Sequence, residues 1–464
     1  MLQRLISSVS RTALLTVLCM SSHVLAQSGA GTIQGTVQDA TSSAIPGASV
    51  QARNEGMGVV IETTSNSNGF YAIKGLIAGT YKVTFSAPGM KTSENNVTLQ
   101  NGQVLVLNSQ LAVGQVSEKV TVSGETIQLA TYDSGTVNTQ LDAARISQLP
   151  QNGRNVLGLA QNTVPGMEGG GTRVNGLMGE AMEYSQDGAP MTNRNFGSAG
   201  NTAQSTLPDP DAVQEMRFET LNSSAQFATP ATVLLTTKSG TNQVHGSVFE
   251  TARNNYFGIA KARQDPANLV APKLIRNEFG GSVGGPIVIP KVYNGMNRTF
   301  FFFAYERFSL RSAAQQLMRV PTMAMRTGDF SGLINSAGVL QQLYDPNSTQ
   351  SAANQYSRVP FSNNQIPFAR ISPLAKTLLA ATPTPTSADN PMVNFNLTGQ
   401  NPTQQTVPNY TTRLDHVFDE KNRVYFRFTD IRQQQMALRN YPVASPANIE
   451  TSELKEGSTG YQAI

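Results

Sequence analysis

Apolar and polar residues alternate with a period of two along most of this chain, the spacing of strands that bury one face. From Gly31 to Gly114 the alternating runs are short. Ile33, Gly35 and Val37 share one face, and Val50 and Ala52 share another after the turn Ile45-Pro46-Gly47. Tyr71 and Ile73 follow Asn68-Gly69, a hairpin signal, and Tyr81, Val83 and Phe85 follow Gly79. Pro88-Gly89 and Asn101-Gly102 punctuate the runs around Val97–Leu99 and Val104–Leu107. About seven strands with a turn every ~8–12 residues predict a small β-sandwich.

From Gln243 onward the runs lengthen. Arg298 to Phe308 is an aromatic-rich stretch long enough to cross a bilayer at a tilt, which takes ~9–11 residues. Tyr410 to Phe418, the turn Asp419-Glu420-Lys421-Asn422 and Arg423 to Arg432 read as a hairpin. In its second strand Val424, Phe426 and Phe428 share one face while Tyr425, Arg427 and Thr429 share the other. That pattern suits a lipid-facing barrel strand, although a soluble half-buried sheet has the same periodicity. Residues 309–409 between these strands are rich in Pro, Asn, Gln, Ser and Thr and read as one long extracellular loop. Upstream, Asp142 to Leu149 predicts a short helix stopped by Pro150.

Met1 to Ala26 has a different texture: Arg4 and Arg11, an apolar run from Ala13 to Met20, then Val24-Leu25-Ala26. This reads as a signal peptide cleaved after Ala26, its apolar run too short for a permanent span. Cleavage would remove Cys19, the only cysteine, and would lower the formal net charge from +4 to +2. An exported chain without disulfides must hold its domains by burial and backbone pairing. The small basic excess forms no stripe, so no nucleic-acid partner is expected. Charged residues make up 14% of the chain and the mean hydropathy is −0.24. These values exclude a polytopic helical membrane protein but leave a transmembrane β-barrel open.

The series Gly69, Tyr71, Ile73, Leu76, Gly79, Tyr81, Val83 and Ala87-Pro88-Gly89 resembles the carboxypeptidase regulatory-like domain. That domain is a transthyretin-like sandwich within the carbohydrate-binding-like fold group. Ala78 stands where the family usually has Pro. The resemblance does not imply peptidase activity, since a zinc peptidase needs two His and a Glu. This chain has His23, His245 and His416, and Val248 and Asp419 lie three residues beyond the latter two. A structural module is the first reading of this domain and sugar binding the second. No enzyme activity, cofactor or metal is expected. Gly169-Gly170-Gly171 lacks the Gly-Lys-Ser or Gly-Lys-Thr of a P-loop. Asp209, Asp211 and Glu215 could suggest a metal cluster, yet two prolines and a turn explain them as well.

Downstream, Leu149-Pro150-Gln151-Asn152-Gly153-Arg154-Asn155, Thr163-Val164-Pro165-Gly166, Arg173-Val174-Asn175-Gly176, Gln186-Asp187-Gly188 and Pro210 to Glu215 follow in order, closing on Thr237 to Gly246. This succession resembles the plug of TonB-dependent outer-membrane receptors of the Oar-like subgroup. Asn277 to Ser282, Gly284-Gly285-Pro286 and Arg413-Leu414-Asp415-His416 resemble the onset of the Oar-like barrel, which makes His416 a lumen or rim residue. Gln115 to Val122 reads from composition as a last sandwich strand or linker. The resemblance instead makes Glu118, Lys119, Val120, Thr121 and Val122 the candidate TonB box, an extended peptide offered to a partner's sheet edge.

The expected fold is therefore mainly β. It comprises a leader (1–26), a transthyretin-like, carbohydrate-binding-like β-sandwich (27–114) and a linker with the candidate box (115–125). An α+β TonB plug (126–240) and an incomplete transmembrane β-barrel (241–464) follow. Family barrels have about 22 strands and residues 243–464 supply about four to eight, so an N-terminal fragment of a longer receptor is expected. The resemblance implies residence in the cell outer membrane among its lipids, TonB of the inner-membrane energy-transducing complex as partner, and a large carbohydrate or peptide substrate. The alternative is a non-transporting surface carbohydrate-binding or adhesion protein.

Overall fold

The structure is a computed structural model that describes residues 30–114, 119–122, 137–149, 154, 156–168, 173–177, 182–191, 208–222, 229–255, 273–352, 355–419, 422–435, 441–443, 445–446 and 454–463. The leader with Ala26, and Glu118, lie outside the described residues. The fold is mainly β, with three successive units.

The first unit is a two-sheet sandwich. Its strands are β1 (Gly31–Asp39), β2 (Ser49–Asn54), β3 (Val60–Thr64), β4 (Phe70–Leu76), β5 (Gly79–Ser86), β6 (Thr92–Leu99), β7 (Val104–Val106), β8 (Ser109–Leu111) and β9 (Lys119–Val122). One sheet has the order β4-β1-β7 with β8 also on β1, and the other β3-β2-β5-β6-β9. The period-two residues form its core: Ile33, Val37, Val50, Ala52, Tyr81, Val83 and Phe85 are buried. Tyr71 lies edge-on to Phe85, with ring centroids 5.5 Å apart, and its hydroxyl donates to the Leu107 carbonyl at 2.6 Å. Gly69 turns the hairpin before β4 at φ 71°, in the left-handed region that favours glycine.

The second unit has strands β10 (Val137–Asp142), β11 (Met167–Glu168), β12 (Arg173–Val174), β13 (Met182–Gln186), β14 (Ala189–Pro190), β15 (Val213–Leu221) and β16 (Ala231–Thr237). Its five-stranded sheet has the order β10-β15-β16-β13-β14, with β13 and β16 parallel. Helices at Ala143–Gln148 and Val156–Thr163 cover it. Asp142 caps the first, its side chain accepting from the Arg145 N–H at 2.8 Å. Ile146, Leu159, Tyr184, Met216, Phe218 and Val233 pack together between helices and sheet.

The third unit has strands β17 (His245–Asn254), β18 (Leu274–Pro286), β19 (Val288–Ile289), β20 (Tyr293–Asn294), β21 (Thr299–Met318), β22 (Gln350–Ala352), β23 (Gln355–Ser357), β24 (Leu397–Val417), β25 (Arg423–Gln435) and β26 (Leu454–Ala463). Six form one open antiparallel sheet in the order β17-β18-β21-β24-β25-β26. The face turned to the second unit carries Phe300, Phe302, Ala304 and Glu306 of β21, Arg413 and Asp415 of β24 and Arg427 of β25, all buried. The other face exposes Phe279, Phe303, Tyr410, Leu414, Val424 and Phe426. The apolar outward face is what a lipid-facing sheet requires, while the inward face mixes ionisable groups with the buried Phe300, Phe302 and Ala304.

The segment expected to be one loop over 309–409 is shorter and better ordered than its composition suggests. β21 and β24 stay paired from Ser309↔Thr406 to Met318↔Leu397, so the connection narrows to 319–396. Backbone pairing satisfies these polar residues as well as it satisfies apolar ones, and composition does not register it. The connection itself folds on local bonds. Asn364 is buried, accepting from the Leu343 N–H at 2.6 Å and donating to the Phe330 and Gln341 carbonyls. Arg370 grips Asp345 with two bonds of 2.6 and 2.7 Å.

Candidate functional site

A group of buried ionisable side chains, Asp187, Asp209, Glu215, Glu306, Arg413 and Arg427, lies where the three units meet, so the candidate site is a set of joints. Arg154, between the two helices of the second unit in sequence, sits at φ 46°, a conformation costly for a residue with a Cβ. Its guanidinium reaches Glu306 on β21 at 3.2 Å, Asp211 at 3.2 Å and Asp209 at 3.4 Å, and lies 3.7 Å from the Phe249 ring centroid. Asp209 also caps the 3-10 turn Pro210–Ala212, accepting from the Asp211 N–H at 2.8 Å. Beside it Ala212 packs on Phe302 and Ala304. Burial, with the neighbouring Asp209 charge, pushes the Asp211 carboxyl up, while burial pulls the Lys238 ammonium down.

A second joint centres on Asp187, at φ 49° in the turn between β13 and β14. Its carboxylate accepts from the Thr237 N–H at 2.8 Å and hydroxyl at 2.6 Å. It also faces Arg427 at 2.9 Å and Arg413 at 3.4 Å, while its carbonyl accepts from the Tyr425 hydroxyl at 2.8 Å. Arg413 is held in turn by Asp415 at 2.9 Å and donates to the Thr237 carbonyl at 2.9 Å. Ionisable groups on the inward face of a membrane sheet pair with one another or with the backbone, as these do.

The sandwich docks through two turns. The Asn101 N–H donates to Glu215 on β15 at 2.5 Å, and the Asn101 amide donates to the Thr236 hydroxyl at 2.6 Å. Arg217 donates to the Asn101 carbonyl at 3.0 Å, and Gln140 holds the other Glu215 oxygen at 2.7 Å. Burial pushes the Glu215 carboxyl up to about 7, against the bonds from Asn101 and Gln140 that favour its charge. At the second turn, Asn242 binds the Gly56 carbonyl through its N–H at 2.9 Å and the Met57 carbonyl through its amide at 2.8 Å. The Asn242 carbonyl group of the side chain accepts from the Asn297 N–H at 2.8 Å. A cleft of about 1030 Å³ opens between the sandwich and the β24–β25 turn, lined by Glu62, Lys74, Tyr81, Asn422 and Arg423.

Of the residues singled out in the sequence, Lys119–Val122 form β9, parallel to β6 in the register Thr92↔Lys119 to Asn95↔Val122. They lie apart from the buried ion pairs. Asp209 and Asp211 converge on Arg154, whereas Glu215 turns to Asn101, so the three acids serve different joints. His416 contacts the Thr299 hydroxyl at 2.7 Å and the Phe418 ring edge-on. His245 meets the Gln243 carbonyl at 2.9 Å. Among the described residues no group of His, Cys, Asp and Glu is arranged to hold a metal ion. Sequence reasoning assigned no role to Arg154, Asp187, Glu306 or Arg413. The available signal was a carboxylate, Glu306, set among the aromatics of β21 on the face alternate to Tyr305.

Residues 236–462 match the family model of an outer membrane beta barrel domain, and residues 32–112 match that of a carboxypeptidase regulatory-like domain. No curated protein matches the chain. Among solved structures, hydroxyquinol 1,2-dioxygenase from Pseudomonas putida aligns with 19% of this chain and 58% of its own, at 9% identity and TM-score 0.18. The group B streptococcus pilus 2b backbone protein aligns with 18% of this chain and 42% of its own, at 17% identity and TM-score 0.16. A putative carbohydrate binding protein from Bacteroides uniformis aligns with 18% and 40%, at 18% identity and TM-score 0.16. The chain thus spans less than two thirds of these structures, and likenesses at such scores carry no chemistry across. What the two matched domains establish is that this chain carries a carboxypeptidase regulatory-like domain ahead of an outer membrane β-barrel domain.

Proposed function

We propose that the chain works as a TonB-dependent outer-membrane receptor, exported through a leader cleaved after Ala26, that takes up or moves a large substrate such as a glycan or peptide. The observation that carries this reading is the second unit. A compact mixed sheet is set against the inward face of a barrel sheet by buried ion pairs at Arg154 and Asp187. That is what a plug needs: polar contact that seals the sheet's inward face and can be exchanged for water on release.

The strand Lys119–Val122 leads along the chain to β10, which is the edge strand of that unit's sheet. Tension applied upstream therefore acts first on an edge strand, whose removal leaves the interior pairs of the sheet intact. No covalent step is assigned to this chain; the work is mechanical and is supplied by the inner-membrane partner. In a full-length receptor, deletion of Glu118–Val122 is expected to abolish energised uptake while surface binding of substrate persists. Unchanged uptake would sink the box assignment.

A further inference from the structure

We infer that the sandwich is the resting partner of the Lys119–Val122 strand, and that the energy-transducing protein must take this strand from β6 by exchange. The inference rests on the receptor reading above. β9 is the last strand of a five-stranded sheet and is held by β6 alone among the described residues. The pair is parallel and only four residues long, from Thr92↔Lys119 to Asn95↔Val122. Parallel pairing is somewhat weaker per residue than antiparallel, and so short a strand at a sheet edge is readily peeled away. Its neighbour β6 is by contrast secured along its other side by β5, from Gly79↔Leu99 to Phe85↔Ser93.

The anchoring of the sandwich makes exchange the productive mode. A partner that merely added to the outer edge of β9 would pull on the sandwich sheet. The sandwich is fastened to the second unit through Asn101 and Glu215, and to the third through Met57, Asn242 and Asn297. The load would then fall on those joints and not on the chain leading to β10. Peeling β9 from β6 redirects it along the backbone. The regulatory-like sandwich is thus a latch, and β6 competes with the partner for the same four residues.

The test uses the full chain in outer-membrane vesicles, where leader cleavage removes the only native cysteine, with the purified periplasmic domain of TonB as the probe. Neighbouring strands lie ~4.8 Å apart, within the Cα separation that a disulfide bridges. The in-register pair Asn95→Cys with Val122→Cys should cross-link on mild oxidation, and the out-of-register pair Thr92→Cys with Val122→Cys should not. Capture of the probe should fall at least tenfold in the oxidised in-register variant and return on reduction of the same sample. A second variant, Asn95→Pro, puts a proline in β6 at the register partner of Val122, disturbs that pairing and should strengthen capture several-fold. Capture that is as tight in the cross-linked form, or unchanged by Asn95→Pro, overturns the latch. Failure of the unmodified chain to capture the probe at all would overturn instead the receptor reading on which the latch rests.

Discussion

Arg154 and Glu215 show how single buried charges hold this molecule together. Arg154 is the shared cationic partner of three acidic side chains from two units, so truncation leaves Asp209 and Glu306 buried beside each other without their cation. Breaking a buried pair in this way costs ~3–5 kcal/mol, far more than an exposed pair would. Arg154→Ala should therefore lower the unfolding free energy of the purified protein, read from urea titration, by that amount, and a loss under ~1 kcal/mol would mean the cluster is solvated. Glu215 acts in the opposite sense to most carboxylates, because burial raises it from its ordinary 4.5 to about 7. Between those values the native state keeps a proton that the unfolded chain gives up. Its contribution is fully present below about 4.5 and is lost as the pH rises through about 7. The change is on the order of 1–3 kcal/mol across that window. Glu215→Gln should flatten this part of the stability–pH curve. The Gln side chain keeps an acceptor for Asn101, and Gln140, whose amide oxygen lacks a partner, can flip to accept from the new amide. A slope that persists in the variant would assign the titration to another group.

At the scale of elements, the strands depend on close backbone approach as much as on apolar faces. Gly280 on β18 is a case: a Cβ there would strike the Tyr305 carbonyl oxygen and the Glu306 Cα on β21, neither of which can yield without breaking the ladder. Gly280→Val should reduce the fraction of protein that assembles into heat-modifiable, protease-resistant sheet, whereas Gly332→Ala, with open space around it, should not. Strand positions were legible because one buried face imposes a period of two, as in Ile33, Val37, Tyr81, Val83 and Phe85. The extension of β21 and β24 past Ser309 and before Asn409 was not. Gln, Thr and Asn pair through the same backbone as Val, and their side chains give no sign of it. The joints were illegible for a related reason. Asn101-Gly102 is fully explained by its own turn, and nothing local announces a partner 114 residues away. Alternating Val in Lys119–Val122 is compatible with a strand but does not say whose edge it would join.

For the whole molecule, the question is whether the sandwich moves with the other two units or independently of them. Two joints attach it, Asn101 to β15 and β16, and Asn242 to the turns at Met57 and Asn297. Once either is made, the other closes within one molecule at high effective concentration, so loss of one should leave the sandwich mostly docked. Loss of both should free it. The effects on docking of Asn101→Pro, which removes both the N–H and the side-chain amide at the first central position of its turn, and of Asn242→Ala are thus expected to be strongly non-additive. Spin labels at the exposed sites Thr98 and Val292 report the sandwich-to-sheet separation directly. The distance distribution should be narrow in the parent, slightly broadened in each single variant and broad in the double. Sandwich stability itself should hardly change, since its core from Ile33 to Leu111 includes neither Asn. A narrow distribution in the double variant would locate the attachment elsewhere, along the cleft that Tyr81 and Arg423 both line. A broad one has a mechanical consequence. A freed sandwich gives a pulling partner nothing to work against, so β9 would travel with it and β10 would feel the force only after the slack was taken up.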